Sequence, residues 1–321
     1  MRGATFRNLD DVSVSFRNPG LTCVTGVSGA GKSTLVFDVL GVAARSILAR
    51  APFPSARLKS LEGLGPIDRV AASDGIVSSH PRAMAGGVLG VLDPLRGLFA
   101  ATIEARARGY GARRFSTNVD GGRCAECRGL GLRAVRLRHL PELAAPCEAC
   151  EGRRFRPETL EIRVKGLSIA DVLEMPLSRA AEVFRDLPGV GRPLAAAADV
   201  GLSYVRLGEA TDRLSGGESL RLRLAAALGR AGRSRTLYLL DEPCAGLHPT
   251  DVAHLVRVLR RLAEEGNAVV ATEHHRDLIL EADHVVDLGP GAGSEGGRVI
   301  VEGAPSDVVA HEASRTGAAL R

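Results

Sequence analysis

An α/β fold built on a parallel sheet, carrying a nucleotide site and interrupted by a long insertion, is predicted for this 321-residue chain by three observations. The segments Leu21–Thr25, Thr236–Leu240 and Ala268–Thr272 are short apolar runs without alternation, the pattern of strands buried on both faces. The first runs straight into a glycine-rich turn and then a helix-like segment. Two C-x-x-C pairs fall in the wide interval between that turn and the later strands.

The glycine turn, Gly26-Val-Ser-Gly-Ala-Gly-Lys-Ser33, is followed by the apolar-periodic Leu35–Leu40. Strand, glycine loop and helix in that order form a phosphate cradle. Backbone N–H groups around Gly26, Ser28, Gly29 and Gly31 wrap the phosphates, and the helix start at Thr34 adds positive potential. Lys32 is placed to reach the β- and γ-phosphates, and the Ser33 hydroxyl to ligate magnesium. Thr236–Leu240 ends in Asp241-Glu242-Pro243, delivering two adjacent carboxylates to the mouth of the sheet. Asp241 is expected to hold magnesium, and Glu242 to polarise the attacking water as general base. ATP and Mg²⁺ are therefore the expected ligands.

Leu214-Ser-Gly-Gly-Glu218 precedes a strong helix former, so a second anion-binding helix start is expected at Ser215, Gly216 and Gly217. This segment resembles the ABC signature, and the resemblance implies contact with the γ-phosphate of ATP held by an opposing module. Ala245-Gly-Leu-His248 stands where an ABC D-loop belongs. His274 follows the strand Ala268–Thr272, where that family carries a switch histidine, with His275 as its rival.

Lys32 and Ser215 lie much farther apart than in an ordinary ABC module, so an insertion separates them. It contains Cys124-Ala-Glu-Cys127 and Cys147-Glu-Ala-Cys150. Each turn can offer two thiolates to one tetrahedral ion, and the two together predict a closed structural Zn²⁺ site. Glycines 129, 131 and 152 suit the tight turns after each pair, while Cys23 and Cys244 read as small buried residues of the core. The organisation expected is a discontinuous ATP-binding core, residues 1–80 and 200–321, around an insertion at 81–199 with signature-region helices and the zinc module.

All but three of the 42 basic residues are Arg, and the net charge is +5. Arg123, Arg133, Arg136 and Arg138 cluster near the cysteines and are candidate phosphate contacts, although an Arg-rich chain also carries solvated arginines. No apolar run is long enough to span a membrane, and Met1–Asp11 has no signal-peptide character, so a cytoplasmic protein without membrane partners is expected.

Ala105–Tyr110, Arg114–Val119, Gly121–Cys124, Pro157–Glu161, Ala170–Leu173, Tyr204–Gly208 and Asp287–Pro290, with the motifs above, resemble the UvrA family of the ABC excinuclease. The similarity covers nearly the whole chain and is to the second ABC module alone. It implies an ABC-type P-loop ATPase of nucleotide excision repair, without nuclease chemistry. It implies, further, that DNA is contacted through the zinc-bearing insertion, and a homodimer or a heterodimer with another half-module is expected to close on ATP. The region that docks the UvrB helicase belongs to the first module, so UvrB loading is not expected. Ser73 stands at the family's Q-loop glutamine and Asp120 where a basic residue is usual. A drug self-resistance ATPase and a repair remnant of little activity are the alternative readings.

Overall fold

The computed structural model describes residues 1–73, 82–135, 143–229 and 234–321. The strands are β1 (Arg2–Ala4), β2 (Gly20–Gly26), β3 (Leu58–Ser60), β4 (Arg69–Ser73), β5 (Leu132–Val135), β6 (Leu143–Pro146), β7 (Thr236–Asp241), β8 (Ala268–Thr272), β9 (His284–Gly289) and β10 (Arg298–Gly303). The chain divides into two compact units, Met1–Ile76 with Ala231–Arg321, and Val77–Arg230.

The first unit is built on a six-stranded sheet of order β10-β9-β2-β8-β7-β4, parallel throughout except for the antiparallel edge strand β10. Every residue of β2 is buried, as are those of β8 and β9; this accounts for the largely apolar sequence of β2 and β8, while β9 also buries His284 and Asp287. Parallel pairing brings the carboxyl ends of β2, β7, β8 and β9 to one edge. There Val24 pairs with Thr272, Asp241 with Thr272, and Thr25 with Asp287. The edge so formed is where open α/β sheets bind ligands.

Two helical segments cover this sheet by the logic of their sequence. Thr34–Gly41, wound with wide π-type turns, buries Leu35, Val36, Val39 and Leu40 in a core with Leu237, Leu239 and Val270. Pro249–Glu264 starts with proline at its first turn, capped by the His248 ring, which accepts from the Thr250 amide. It buries Val252, Leu255, Val256, Leu259 and Leu262, a three-and-four spacing along one face. The expected strand Ala268–Thr272 is present, and β9 and the helix Pro305–Ala310 follow it in the same unit.

The second unit is mainly short helices, with the β5–β6 hairpin paired from Leu132↔Pro146 to Val135↔Leu143. Its largest buried side chains include Phe99, Phe115, Phe155 and Phe184, and the Phe99 and Phe115 rings lie 5.4 Å apart. Residues 200–229 pack in this unit, whereas the sequence spacing assigns them to the core. The reason is tertiary: the helix Gly216–Gly229 buries Leu220, Leu222, Leu224 and Leu228 and packs against the helix Gly191–Asp199. Among the described residues, no helix is long and apolar enough to cross a membrane.

Candidate nucleotide and metal sites

β2 ends at Gly26, whose φ is +125°. A Cβ there would lie 2.1 Å from the Leu288 carbonyl oxygen, so the chain can turn out of the sheet at this point only as glycine. The loop that follows is braced from two directions. Asn8 Nδ2 donates to the Gly29 carbonyl at 3.2 Å, the Gly293 amide to the same oxygen at 3.1 Å, and the Gly297 amide to the Ala30 carbonyl at 3.0 Å. Ser28 and Gly29 form the exposed crown of the loop, while Thr34 is buried at the helix start.

Lys32 is 6% exposed, and its ammonium donates to the carbonyls of Gly26 at 2.9 Å and Val27 at 3.1 Å. Burial lowers its pKa from the ordinary lysine value, against the opposing pull of Glu242, Asp241 and Asp287. Ser33 Oγ donates to Asp241 Oδ1 at 3.2 Å, and Thr272 Oγ1 donates to the same oxygen at 2.6 Å. A hydroxyl and a carboxylate thus stand together beneath the phosphate loop, a hard oxygen pair suited to Mg²⁺.

Glu242, half-exposed, breaks from the strand at φ +40°, its amide donating to the Thr272 carbonyl at 3.1 Å. Its Oε1 lies 3.7 Å from His274 Nε2. His275 is turned elsewhere: its ring accepts from the Asp277 amide at 3.3 Å and caps the helix Arg276–Leu280. Ser73 closes β4 opposite Leu240, and the residues just after it lie outside the described set.

In the second unit, Ser215 and Glu218 bond reciprocally at the signature helix. The Ser215 amide donates to Glu218 Oε2 at 2.8 Å and the Glu218 amide to Ser215 Oγ at 3.2 Å. Gly216 and Gly217 form the first turn, and the Tyr204 hydroxyl donates to the other Glu218 oxygen. Burial pushes the Glu218 carboxyl up, but the bonds from Tyr204 and Ser215 outweigh it and hold it below the usual range.

The four thiols of Cys124, Cys127, Cys147 and Cys150 lie within 4.8 Å of one another, all buried. Cys127 and Cys150 Sγ are 3.7 Å apart, which matches the edge of about 3.8 Å for a tetrahedron with Zn–S bonds of about 2.3 Å. The two pairs repeat one backbone form: Arg128 and Gly129 have φ of 51° and 86°, Glu151 and Gly152 of 51° and 79°. This turn lets the Gly131 amide donate to Cys127 Sγ at 3.2 Å. Burial, with the neighbouring Cys127 and Cys147, pushes the Cys150 thiol up to about 12. The donor set therefore fits a soft divalent cation that lets crowded thiols ionise.

Of the candidate phosphate contacts, Arg123 is only 15% exposed and pairs with Asp120 at 2.7 Å, while Arg133 is exposed and 3.5 Å from Glu126. Arg136 and Arg138 lie outside the described residues. Cys23 and Cys244 are buried thiols whose pKa values are raised, first by burial. Sequence reasoning missed Asn8, Thr272, Glu273 and Asp287. Asp287 is buried and accepts from Thr25 Oγ1, Ser314 Oγ and Thr316 Oγ1 at 2.7–2.8 Å. Thr272 had a signal, a hydroxyl ending an apolar strand, but the others are single polar residues without any period.

A family profile described as "AAA domain, putative AbiEii toxin, Type IV TA system" matches residues 212–281. The chain is 46% identical over 318 residues to the UvrABC system protein A of Xanthomonas campestris pv. campestris, covering 99% of this chain and 32% of that protein. It is 46% identical over 321 residues to the protein of the same name from Thermus thermophilus, covering 100% of this chain and 34% of that protein. The crystal structure of UvrA2 from Deinococcus radiodurans superposes with a TM-score of 0.89 at 44% identity, over all of this chain and 39% of that one. The chain thus spans about a third of the length of the curated relatives it matches.

Proposed function

Taking as premise that the chain is a UvrA-like ABC-type module, we propose that it binds and hydrolyses ATP as half of a two-module sandwich and uses that cycle to control contact with DNA during damage recognition in nucleotide excision repair. One observation carries the ATPase reading: Lys32, Ser33, Asp241, Glu242 and His274 converge at the carboxyl edge of a single parallel sheet.

Their roles follow from their chemistry. The amides of the Gly26–Ser33 loop and the Lys32 ammonium bind the β- and γ-phosphates. Magnesium, held by Ser33 and Asp241, neutralises charge on the phosphates when bound. Glu242 orients and accepts a proton from the attacking water, and His274 holds the γ-phosphate side of the site beside it. Ser215, Gly216 and Gly217 present a helix start to ATP bound by another module, either a second copy of this chain or a separate half-module. Lys32→Ala is expected to weaken ATP binding roughly 10- to 100-fold, the loss of charge-assisted bonds, as read by nucleotide titration. Unchanged affinity contradicts the assignment.

Zinc held by the four cysteines closes the second unit and fixes the segment that bears Arg123 and Arg133. In this reading Asp120 weakens DNA binding, since it occupies Arg123. Asp120→Asn is expected to tighten duplex binding several-fold and to steepen the log–log salt slope by roughly 0.9, one phosphate contact. Fluorescence anisotropy over a salt series reads both; a flat response removes Arg123 from the interface. UvrB docking is not expected of this module. The test of the repair reading is binding to damaged and undamaged duplex, with and without ATP, before and after zinc removal. Failure to bind under every condition overturns the DNA part and leaves the ATPase part standing.

A further inference from the structure

Glu273 is 3% exposed at the end of β8, and its carboxylate forms no ion pair with Lys, Arg or His among the described residues. A buried charge is costly unless hydrogen bonds replace its hydration. Here three backbone amides do so. Oε1 accepts from Cys244 at 2.8 Å, while Oε2 accepts from His274 at 2.6 Å and His275 at 3.1 Å. The donors come from two different loops. Cys244 follows Glu242-Pro243 after β7, and the histidines follow β8. The Glu273 amide, in turn, donates to the Val24 carbonyl at 3.0 Å, just before the phosphate loop.

The paired registers of β7 and β8 end at Asp241↔Thr272, and Glu242 then leaves the strand at φ +40°. Beyond that point the Glu242 amide's bonds to Thr272 and the Glu273 carboxylate bind the two loops together. The residues they hold in place are Glu242 and His274, 3.7 Å apart. An apolar side chain would fill the same volume without the cost of a buried charge, but it would hold neither loop. We propose that Glu273 is a positioning residue: its carboxylate brackets the loops after β7 and β8 and so sets the separation of Glu242 and His274 for ATP hydrolysis. The inference rests on the ATPase reading.

Two variants test it. Glu273→Gln offers one acceptor oxygen and turns an amide N–H₂ toward an amide donor. Glu273→Asp keeps the charge but is one methylene too short to reach both loops. Each is expected to lower kcat at least tenfold while KM for ATP stays within about threefold, because the Gly26–Ser33 loop keeps its own braces. In a His274→Ala background, either change should cost much less than alone, since both act through the same arrangement. Equal loss in both backgrounds, or a rise in KM matching the fall in kcat, overturns the proposal in favour of a merely structural role. A second readout needs no turnover. Hydrogen exchange at the amides of Cys244, His274 and His275 should accelerate together by at least tenfold in both variants, with the β2–β8 ladder unchanged. Unchanged exchange at these three amides refutes the bracket even if the wild-type chain hydrolyses nothing, an outcome that would by itself refute only the ATPase reading.

Discussion

Replacing Cys147 by Ser, or stripping metal with a strong chelator, is expected to remove one zinc per chain and to unfold the segment from Gly121 to Arg156 while leaving the sheet unit folded. The reason lies in what is buried there. The buried cluster at this place consists of the four cysteines themselves, with no apolar side chain among them. Phe155 and Phe115 are buried near by, but the knuckle turns carry only small and charged residues between the thiols. Structural zinc is worth about 10–16 kcal/mol in isolated zinc-finger peptides, far more than a hairpin of four-residue strands supplies. Cys147 is fully buried and its Sγ is one of the four thiols gathered from the two turns, so its replacement takes away a ligand that ties both turns to one ion. Metal analysis should give one zinc in the wild-type chain and less than a tenth of that in the variant. Limited proteolysis should then cut within this segment, with ATP binding by the other unit intact. A metal-free chain as resistant as the loaded one contradicts the assignment.

Glu242→Gln is expected to lower ATP turnover by at least about 100-fold with ATP affinity retained, the range for loss of a general base. The side chain stands half-exposed beside His274, whereas Asp241 is engaged by Ser33 and Thr272. The two acids should therefore separate experimentally. Asp241→Asn should weaken magnesium-dependent nucleotide binding, and Glu242→Gln should not. Single-turnover hydrolysis and nucleotide titration on both variants decide it; equal loss of affinity in the two would mean that the adjacent carboxylates share one role.

Much of the fold was legible because strands buried on both faces are made mostly of apolar residues. Leu21–Thr25, Thr236–Leu240 and Ala268–Thr272 could hardly read otherwise, and each lies in the parallel sheet. The cysteines were legible for a similar reason: their spacing encodes a local turn, and both turns recur with the same backbone sign. The place of the signature helix was not legible. Its leucines show that Gly216–Gly229 is buried, but whether it packs on a sheet or on helices is a tertiary choice, and Gly191–Asp199 supplies the surface it takes. Nor could spacing distinguish His274 from His275; a cap bond to Asp277 separates them. Arg123 read as a candidate phosphate contact, yet it pairs with Asp120, three residues back. Asn8 and Glu273 act singly on distant backbone, and no period in the sequence marks such residues.

The claim on which the rest depends is that this chain is one module of a pair that closes on ATP. Sedimentation of the Glu242→Gln chain with saturating ATP and magnesium tests it most directly. A doubling of mass, or formation of a complex with a separately produced first half of a UvrA protein, reversed in ADP, is the predicted result. A chain that binds ATP and remains monomeric, both alone and with that half, would contradict it.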